Sequence, residues 1–370
     1  MRDLNFSSSK ELRLFFKTEK FNKIFVICGE KSFHQSGAKK LLNEFLKNKL
    51  IKFFYKKFPY PDLNELKLII KDLKEFKPDL IIAIGGGSVL DYAKIANGLT
   101  KDENLEENIK NSNYSLSGNF SKLLAIPTTA GSGAEVTSNA VIYVDKIKYS
   151  VEGEKIKPDY FFLLPELVIG ASNKIKSSAG FDAIAQAIES LISKKSNEKS
   201  VQFAKESLEI SFKYFLEHLN KPNFDNTSAM CLAANLSGAA INISKTTAPH
   251  AVSYPFTSIY NISHGHAVSL TLNKFINFNY KNKDKSDSHF NLDERYKMMF
   301  NLSKSKNLNS FDQFISNLKQ KANLENDFNK LGINIEKDFS KIISGVNILR
   351  LSNNPIKLNK EDLKRIILNT

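Results

Sequence analysis

Two groups of residues have the types and spacing that chemistry would need. The first is a pair of glycine clusters. Gly85, Gly86, Gly87 and Ser88 close the apolar run DLIIAIGGG (79 to 87), where glycines let backbone amides approach a pyrophosphate and the N-terminus of the next helix adds a favourable dipole. The segment PTTAGSGAEVTSNAVIY again follows an apolar run and offers Thr128, Thr129, Gly131, Ser132 and Gly133 as small donors. Either cluster alone is also a tight turn, and neither is a GxGxxG. Together, on adjacent parallel strands, they make one crevice at the carboxyl ends of a doubly wound sheet, which is where such sheets bind ligands. Their pairing points to a nucleotide.

The second group is acidic and histidine-rich. Asp182 and Gln186 stand four apart on a helical pattern and so project from one face. His250 follows in KTTAPHAVSYP, with His264 and His266 in NISHGHAVSL. Taken singly, Asp182 reads as a helix-start residue and each histidine as a satisfied polar group, so a shared metal rests on spacing alone. His218 and His289 sit in charged surroundings and read as solvent-facing.

These residues need a scaffold, and the chain supplies two kinds. Apolar strand-like runs alternate with helical patterns through the first 165 residues: KIFVICG (23 to 29), IKFFYKKF (51 to 58), DLIIAIGGG (79 to 87) and KLLAIPTT (122 to 129), with helices at 36 to 48, 63 to 76 and 89 to 99 between them. That alternation predicts βαβ units and a parallel sheet covered on both faces. Beyond Pro165 long helical stretches dominate, at 177 to 193, 199 to 219 and 228 to 244. The expected organisation is an α/β doubly wound domain over 1–165 and an all-α domain over 166–370.

Composition narrows the function classes. With 370 residues, 42% hydrophobic, the chain can bury one large core or two medium ones. No window approaches 18 uninterrupted apolar residues, and the N-terminus is charged throughout, so a cytoplasmic protein without a membrane partner is expected. Two cysteines, Cys28 and Cys231, are too few for a disulfide framework. The net charge of +14 would permit nucleic acid, but the lysines are dispersed and lack interleaved aromatics, so they read as a solvated face.

At this point GGGSVLDYAK, PTTAGSGAEVTSNAVI, GFDAIAQAIES and APHAVSYPFTSIYNISHGHAVSL resemble, in order, the successive signatures of the iron-containing (group III) alcohol dehydrogenases. The resemblance implies an N-terminal domain that binds a nicotinamide dinucleotide, NAD(P)H, through Gly85, Gly86, Gly87, Ser88, Asp91, Thr128, Thr129 and Ser132. It also implies a helical domain that holds a divalent metal, Fe2+ foremost with Zn2+ or Mn2+ as alternatives, on Asp182, Gln186, His250 and His264. Gln186 stands where most members have histidine, and Tyr254 where many have a second histidine after His250. A glutamine ligates through its amide oxygen, a weaker donor than imidazole.

Within that family the chain is similar to the subgroup that reduces phosphonoacetaldehyde to 2-hydroxyethylphosphonate. The expected partner is therefore a small, anionic aldehyde, in a homodimeric enzyme, with Lys245 near the head group and Arg350 as a weaker candidate. The metal polarises the carbonyl, hydride arrives from the nicotinamide, and His266, Tyr254 or water relays the proton. The alternatives are a general alcohol dehydrogenase of the same type and a non-redox lyase on the dehydroquinate synthase scaffold. The turn after the first strand holds Gly29, Glu30, Lys31 and Ser32. If Gly29 occupies the place of the aspartate that many members carry there, Lys31 and Ser32 can meet a 2′-phosphate and both NADH and NADPH serve; if Glu30 occupies it, NADH is preferred, and the first register is the one expected.

Overall fold

β1 (Lys23–Gly29), β2 (Leu50–Lys56), β3 (Leu80–Gly85), β4 (Lys122–Pro127) and a two-residue strand, which becomes β7 after the hairpin below (Tyr160–Phe161), form one parallel sheet in the order β2-β1-β3-β4-β7. This is a computed structural model, and it describes residues 8–116 and 120–368. β3, LIIAIG, is buried at every position, as a strand with helices on both faces must be. The two-residue period is visible in β1. Ile24, Val26 and Cys28 join one apolar cluster with Leu12, Phe33 and Leu42, while Phe25 and Ile27 join the other with Leu66, Ile69 and Tyr92.

Those clusters are closed by α1 (Ser9–Thr18), α2 (Glu30–Gln35), α3 (Ala38–Phe45), α4 (Leu63–Phe76), α5 (Gly87–Gly98), α6 (Leu105–Lys110) and α7 (Pro165–Val168). Local chemistry sets several of their starts. Ser8 and Glu11 make a reciprocal capping box on α1, and Asp62 caps α4. The strand order reverses between β1 and β3, because β1 lies between β2 and β3. The carboxyl ends of those two strands, at Gly29 and Gly85, therefore flank the switch point of the sheet. A hairpin of β5 (Asn139–Val144) and β6 (Ile147–Glu152) was not apparent in the sequence; its turn residues Asp145 and Lys146 both have positive φ, 52° and 67°, the backbone of a type I′ turn.

The chain divides into two compact units: Met1–Ser172 with Asn223–Cys231, and Asn173–Pro222 with Leu232–Thr370. The second is helical: α8 (Asn173–Ile192), α9 (Glu198–Asn220), α10 (Phe224–Ser244, whose first residues belong to the first unit), α11 (Ala248–Tyr260), α12 (His264–Lys281), α13 (Leu292–Ser303), α14 (Leu308–Lys321), α15 (Ile335–Ser344), α16 (Ile348–Leu351) and α17 (Lys360–Leu368). α8 is the innermost. It packs against α9 and α12 and is buried almost continuously from Lys176 to Ile192, so polar side chains on it must find partners in the interior. No helix among the described residues is long and apolar enough to cross a membrane.

Lys319 on α14 ties that helix to α12 by donating to the Ser269 carbonyl at 3.1 Å. Burial lowers its pKa to about 8, against the attraction of Asp312 and with Lys274 adding repulsion. The folded state thus resists protonation of a group that titrates near 10.5 when exposed; the penalty is full below pH 8 and fades as pH rises towards 10.5. The stability difference between native protein and Lys319→Met is expected to shift in favour of the native chain across that window, by on the order of 3 kcal/mol. Urea unfolding at a series of pH values measures it.

Candidate functional site

In the first unit the glycine turns meet as the sequence suggests. Gly86 caps α5 with extended backbone, and Thr128 N donates to the Gly85 carbonyl at 2.9 Å. A Cβ on Gly87 would lie 2.7 Å from Ser132 Oγ and 3.1 Å from its Cβ, so the second turn packs directly on the first and a larger residue would push Ser132 aside. Gly86 borders Thr129. Thr129, Ser132 and Ser88 are half-buried, and Thr128 is buried.

α5 holds this arrangement through two charged residues. Lys94 is fully buried and donates to Ala134 O (3.0 Å), Thr137 Oγ1 (2.8 Å) and Asn139 O (2.6 Å), clamping the end of the second turn. Asp91 accepts the Val141 amide at 3.2 Å, so it braces β5; burial raises its pKa to about 6, with Lys94 opposing. At the first turn Ser32 donates to the Gly29 carbonyl at 3.0 Å, and Glu30 and Lys31 are exposed.

The acidic and histidine group lies in the second unit. Ligand atoms of Asp182, His250 and His264 all fall within 4.8 Å of one another. Asp182 Oδ1 is 3.3 Å from His250 Nε2 and 3.9 Å from His264 Nε2, and the two imidazoles stand 5.2 Å apart at 70°. Gln186 is also here, but behind the carboxylate. Its Nε2 donates to Asp182 Oδ2 at 3.2 Å while Oε1 accepts from Ser237 at 3.0 Å.

Glu189 is the site residue that spacing did not reveal. It is fully buried one turn beyond Gln186, and its Oε1 accepts from Thr247 N (2.9 Å), Thr247 Oγ1 (3.0 Å) and His250 N (3.2 Å), while Oε2 pairs with His250 Nδ1. That contact keeps a proton on Nδ1 and turns Nε2 towards Asp182, the arrangement that orients metal-bound histidines. Burial alone would lower the His250 pKa, but Glu189 and Asp182 outweigh it and raise the value to about 9. The pocket favours positive charge. One carboxylate oxygen and two imidazole nitrogens converging in such a pocket suit a divalent first-row ion, so these residues fit a metal.

Gly265 makes the convergence possible. A Cβ there would lie 1.9 Å from the Ser178 carbonyl and 2.8 Å from Asp182 Cβ, so its absence lets the start of α12 rest on α8 and deliver His264. His266, two residues on, is turned elsewhere: its Nε2 bonds the Glu325 carbonyl at 2.7 Å. Tyr254 stacks on His264, 5.7 Å between centroids at 14°; burial raises its pKa to about 12, against Arg350. Lys245 is half-buried at φ 60°, just past the end of α10. His218 corrects an expectation: it is buried, and burial with nearby Lys176 lowers its pKa to about 4, so it is a neutral interior residue, while His289 is exposed.

Residues 6–165 match the iron-containing alcohol dehydrogenase family, and residues 176–370 match the C-terminal domain of that family. Phosphonoacetaldehyde reductase of Streptomyces viridochromogenes is 29% identical over 228 residues, 59% of this chain and 57% of that protein. A 1-propanol dehydrogenase of Citrobacter freundii is 29% identical over 259 residues, 69% of this chain and 66% of that protein. The chain thus spans less than two thirds of either relative. Sulfoacetaldehyde reductase from Bifidobacterium kashiwanohense, solved in complex with NAD+, superposes with a TM-score of 0.86 at 24% identity, covering 98% of this chain and 96% of that one; the likeness is one of fold.

Gly265→Ala is the sharpest probe of this geometry, because the added methyl meets backbone and α12 must move. Overpacking of this kind costs about 1 to 3 kcal/mol. The expected outcome is a lowered urea midpoint and at least about ten-fold weaker binding of a divalent ion, as misplaced ligand frames show; calorimetric titration of the metal-free protein with Zn2+ measures the second.

Proposed function

The chain belongs to the iron-containing alcohol dehydrogenase family, and from that premise we propose that it is a divalent-metal-dependent, NAD(P)H-linked oxidoreductase that reduces a small anionic aldehyde, phosphonoacetaldehyde foremost, to its alcohol. The observation that carries the reading is the convergence of buried Asp182 and His250 with half-exposed His264. When bound, the metal supplies a Lewis acid for the carbonyl oxygen.

The chain's own residues do the rest. Asp182, His250 and His264 hold the ion, with Glu189 fixing the imidazole of His250. The paired turns at Gly85–Ser88 and Thr128–Ser132 offer backbone amides and small hydroxyls to the pyrophosphate of the dinucleotide. The dinucleotide, when bound, would supply the hydride, and the substrate oxygen would then need a proton from this chain. Tyr254 is better suited than His266 to provide it, since His266 is committed to the Glu325 carbonyl. A phenol with a pKa of about 12 is protonated at neutral pH and still gives its proton downhill to an alkoxide. Exposed Lys31 and half-buried Ser32 are groups that can meet a 2′-phosphate and support use of both NADH and NADPH, whereas a Glu30 turned to the ribose would favour NADH. Both cysteines are buried and free, which supports a reducing compartment such as the cytoplasm.

The anionic substrate rests on two cations in the same unit. Lys245 adjoins Thr246 and Thr247, and Thr247 is hydrogen-bonded to Glu189. Arg350 is buried on α16, and both ends of that segment are tied to the segment around His250: Asn347 N donates to Ala251 O at 3.2 Å and Asn353 Nδ2 to Thr246 O at 3.1 Å. The identity shared with a 1-propanol dehydrogenase favours a second reading, a neutral alkanal, and a substrate panel separates the two.

His264→Ala is expected to abolish aldehyde reduction while the dissociation constant for NADH, read by fluorescence, changes less than about three-fold, or under 1 kcal/mol. Undiminished turnover would refute the metal assignment. Lys245→Ala and Arg350→Met should each raise the KM for phosphonoacetaldehyde about ten-fold to a hundred-fold more than that for propanal, the cost of a lost charge-assisted contact. Equal effects on both aldehydes would favour the neutral substrate.

A further inference from the structure

The family pattern places a histidine where this chain has Gln186, and a glutamine there could ligate through Oε1. The geometry points to a different role: we propose that the metal centre has three protein ligands, Asp182 through Oδ1 and His250 and His264 through Nε2, and that Gln186 is a positioning residue that holds Asp182 from behind. The proposal rests on the metal-dependent reading above.

The two oxygens of Asp182 are already divided. Oδ1 faces both imidazoles, at 3.3 and 3.9 Å, whereas Oδ2 receives the Gln186 amide at 3.2 Å. The inner end of the amide is thus directed at the oxygen that faces away from the ligand cluster. Its outer end is fixed by Ser237, at 3.0 Å from a neighbouring buried helix. A buried carboxylate needs both oxygens satisfied, and a neutral amide does this for Oδ2 without adding charge.

Glu189 performs the matching task for His250 on its Nδ1 side. α8 therefore contributes one ligand and two braces, four and seven residues further along. Three protein ligands would leave an ion room to accept a substrate oxygen, as metal sites that carry out chemistry do.

Cobalt(II) added to the metal-free full chain tests this, since its visible absorption bands report the ligand set and its titration reports affinity. Gln186→Leu is expected to weaken Co2+ binding about ten-fold to a hundred-fold, the usual effect of losing an outer partner, with band positions unchanged. Ser237→Ala should weaken binding in the same direction, again with unchanged bands, and Ser237→Thr should restore it. This pair carries the test if Gln186→Leu does not fold. Gln186→His should shift the bands as a new nitrogen enters. Bands displaced by Gln186→Leu or by Ser237→Ala would show that Gln186 ligates and would overturn the proposal. Bands and affinity left unchanged by both variants would overturn it as well, by removing the positioning role. Failure of the native chain to bind Co2+, or native binding by His264→Ala, would instead refute the metal reading itself, and the proposal with it.

Discussion

Two carboxylates on the innermost helix set the terms for the second unit. Asp182 and Glu189 lie on one side of α8 with almost no exposure, and an ionised carboxylate taken out of water costs several kcal/mol unless donors or cations compensate it. Glu189 collects four donors from a single short segment, Thr247 to His250, which explains why α11 begins where it does. Asp182 takes Gln186 on one oxygen and two imidazoles on the other. Gln186 comes from α8 itself, while the other partners come from the start of α11 and from α12, so satisfying two charges fixes the relative placement of these three helices, and Ser237 behind Gln186 adds α10.

Such a frame is rigid because it is over-determined. α11 could not shift along α8 without breaking several hydrogen bonds to Glu189 at once, and α12 could not draw back from α8 at Gly265 without carrying His264 away from Asp182. A site built on helices holds its side chains more closely than one built on loops. The first unit meets the opposite problem, since its candidate site consists of turns. Its answer is again a buried charge. Lys94 ends in three oxygen acceptors from one loop, and Asp91, one turn earlier on the same helix, takes a backbone amide from β5. The turns are loops in name, but their backbone is held by α5.

The sequence made the sheet legible because its central strands β1, β3 and β4 are buried on both faces and read as continuous apolar runs, and because glycines end β1 and β3. Asp182, His250 and His264 were named as a set only through the family resemblance, since singly each reads as a helix-start residue or a satisfied polar group. Glu189 was not, since a glutamate in a helix ordinarily faces solvent and nothing local shows that α11 closes over it. Gly265 was hidden too, because its importance lies in a contact with residues some 80 positions earlier. His218 misled through its neighbours, as charged residues beside it on α9 line the outer face while its own side chain points inward. The hairpin at 139–152 escaped because Asp145 and Lys146 adopt positive φ without a glycine to announce it.

The same reasoning accounts for a glutamine at a position where imidazole is the rule. Removing a ligand ordinarily leaves a hole and an unpaired carboxylate oxygen. Gln186 instead fills the space next to Oδ2 and, through Ser237, connects Asp182 to α10. On the proposed ligand set, Gln186 offers Asp182 a hydrogen bond where a histidine would offer a metal contact. A carboxylate held by two independent partners has less freedom to become bidentate or to turn away, and that freedom is what a site with fewer ligands must suppress if it is to keep both its ion and an open position for substrate.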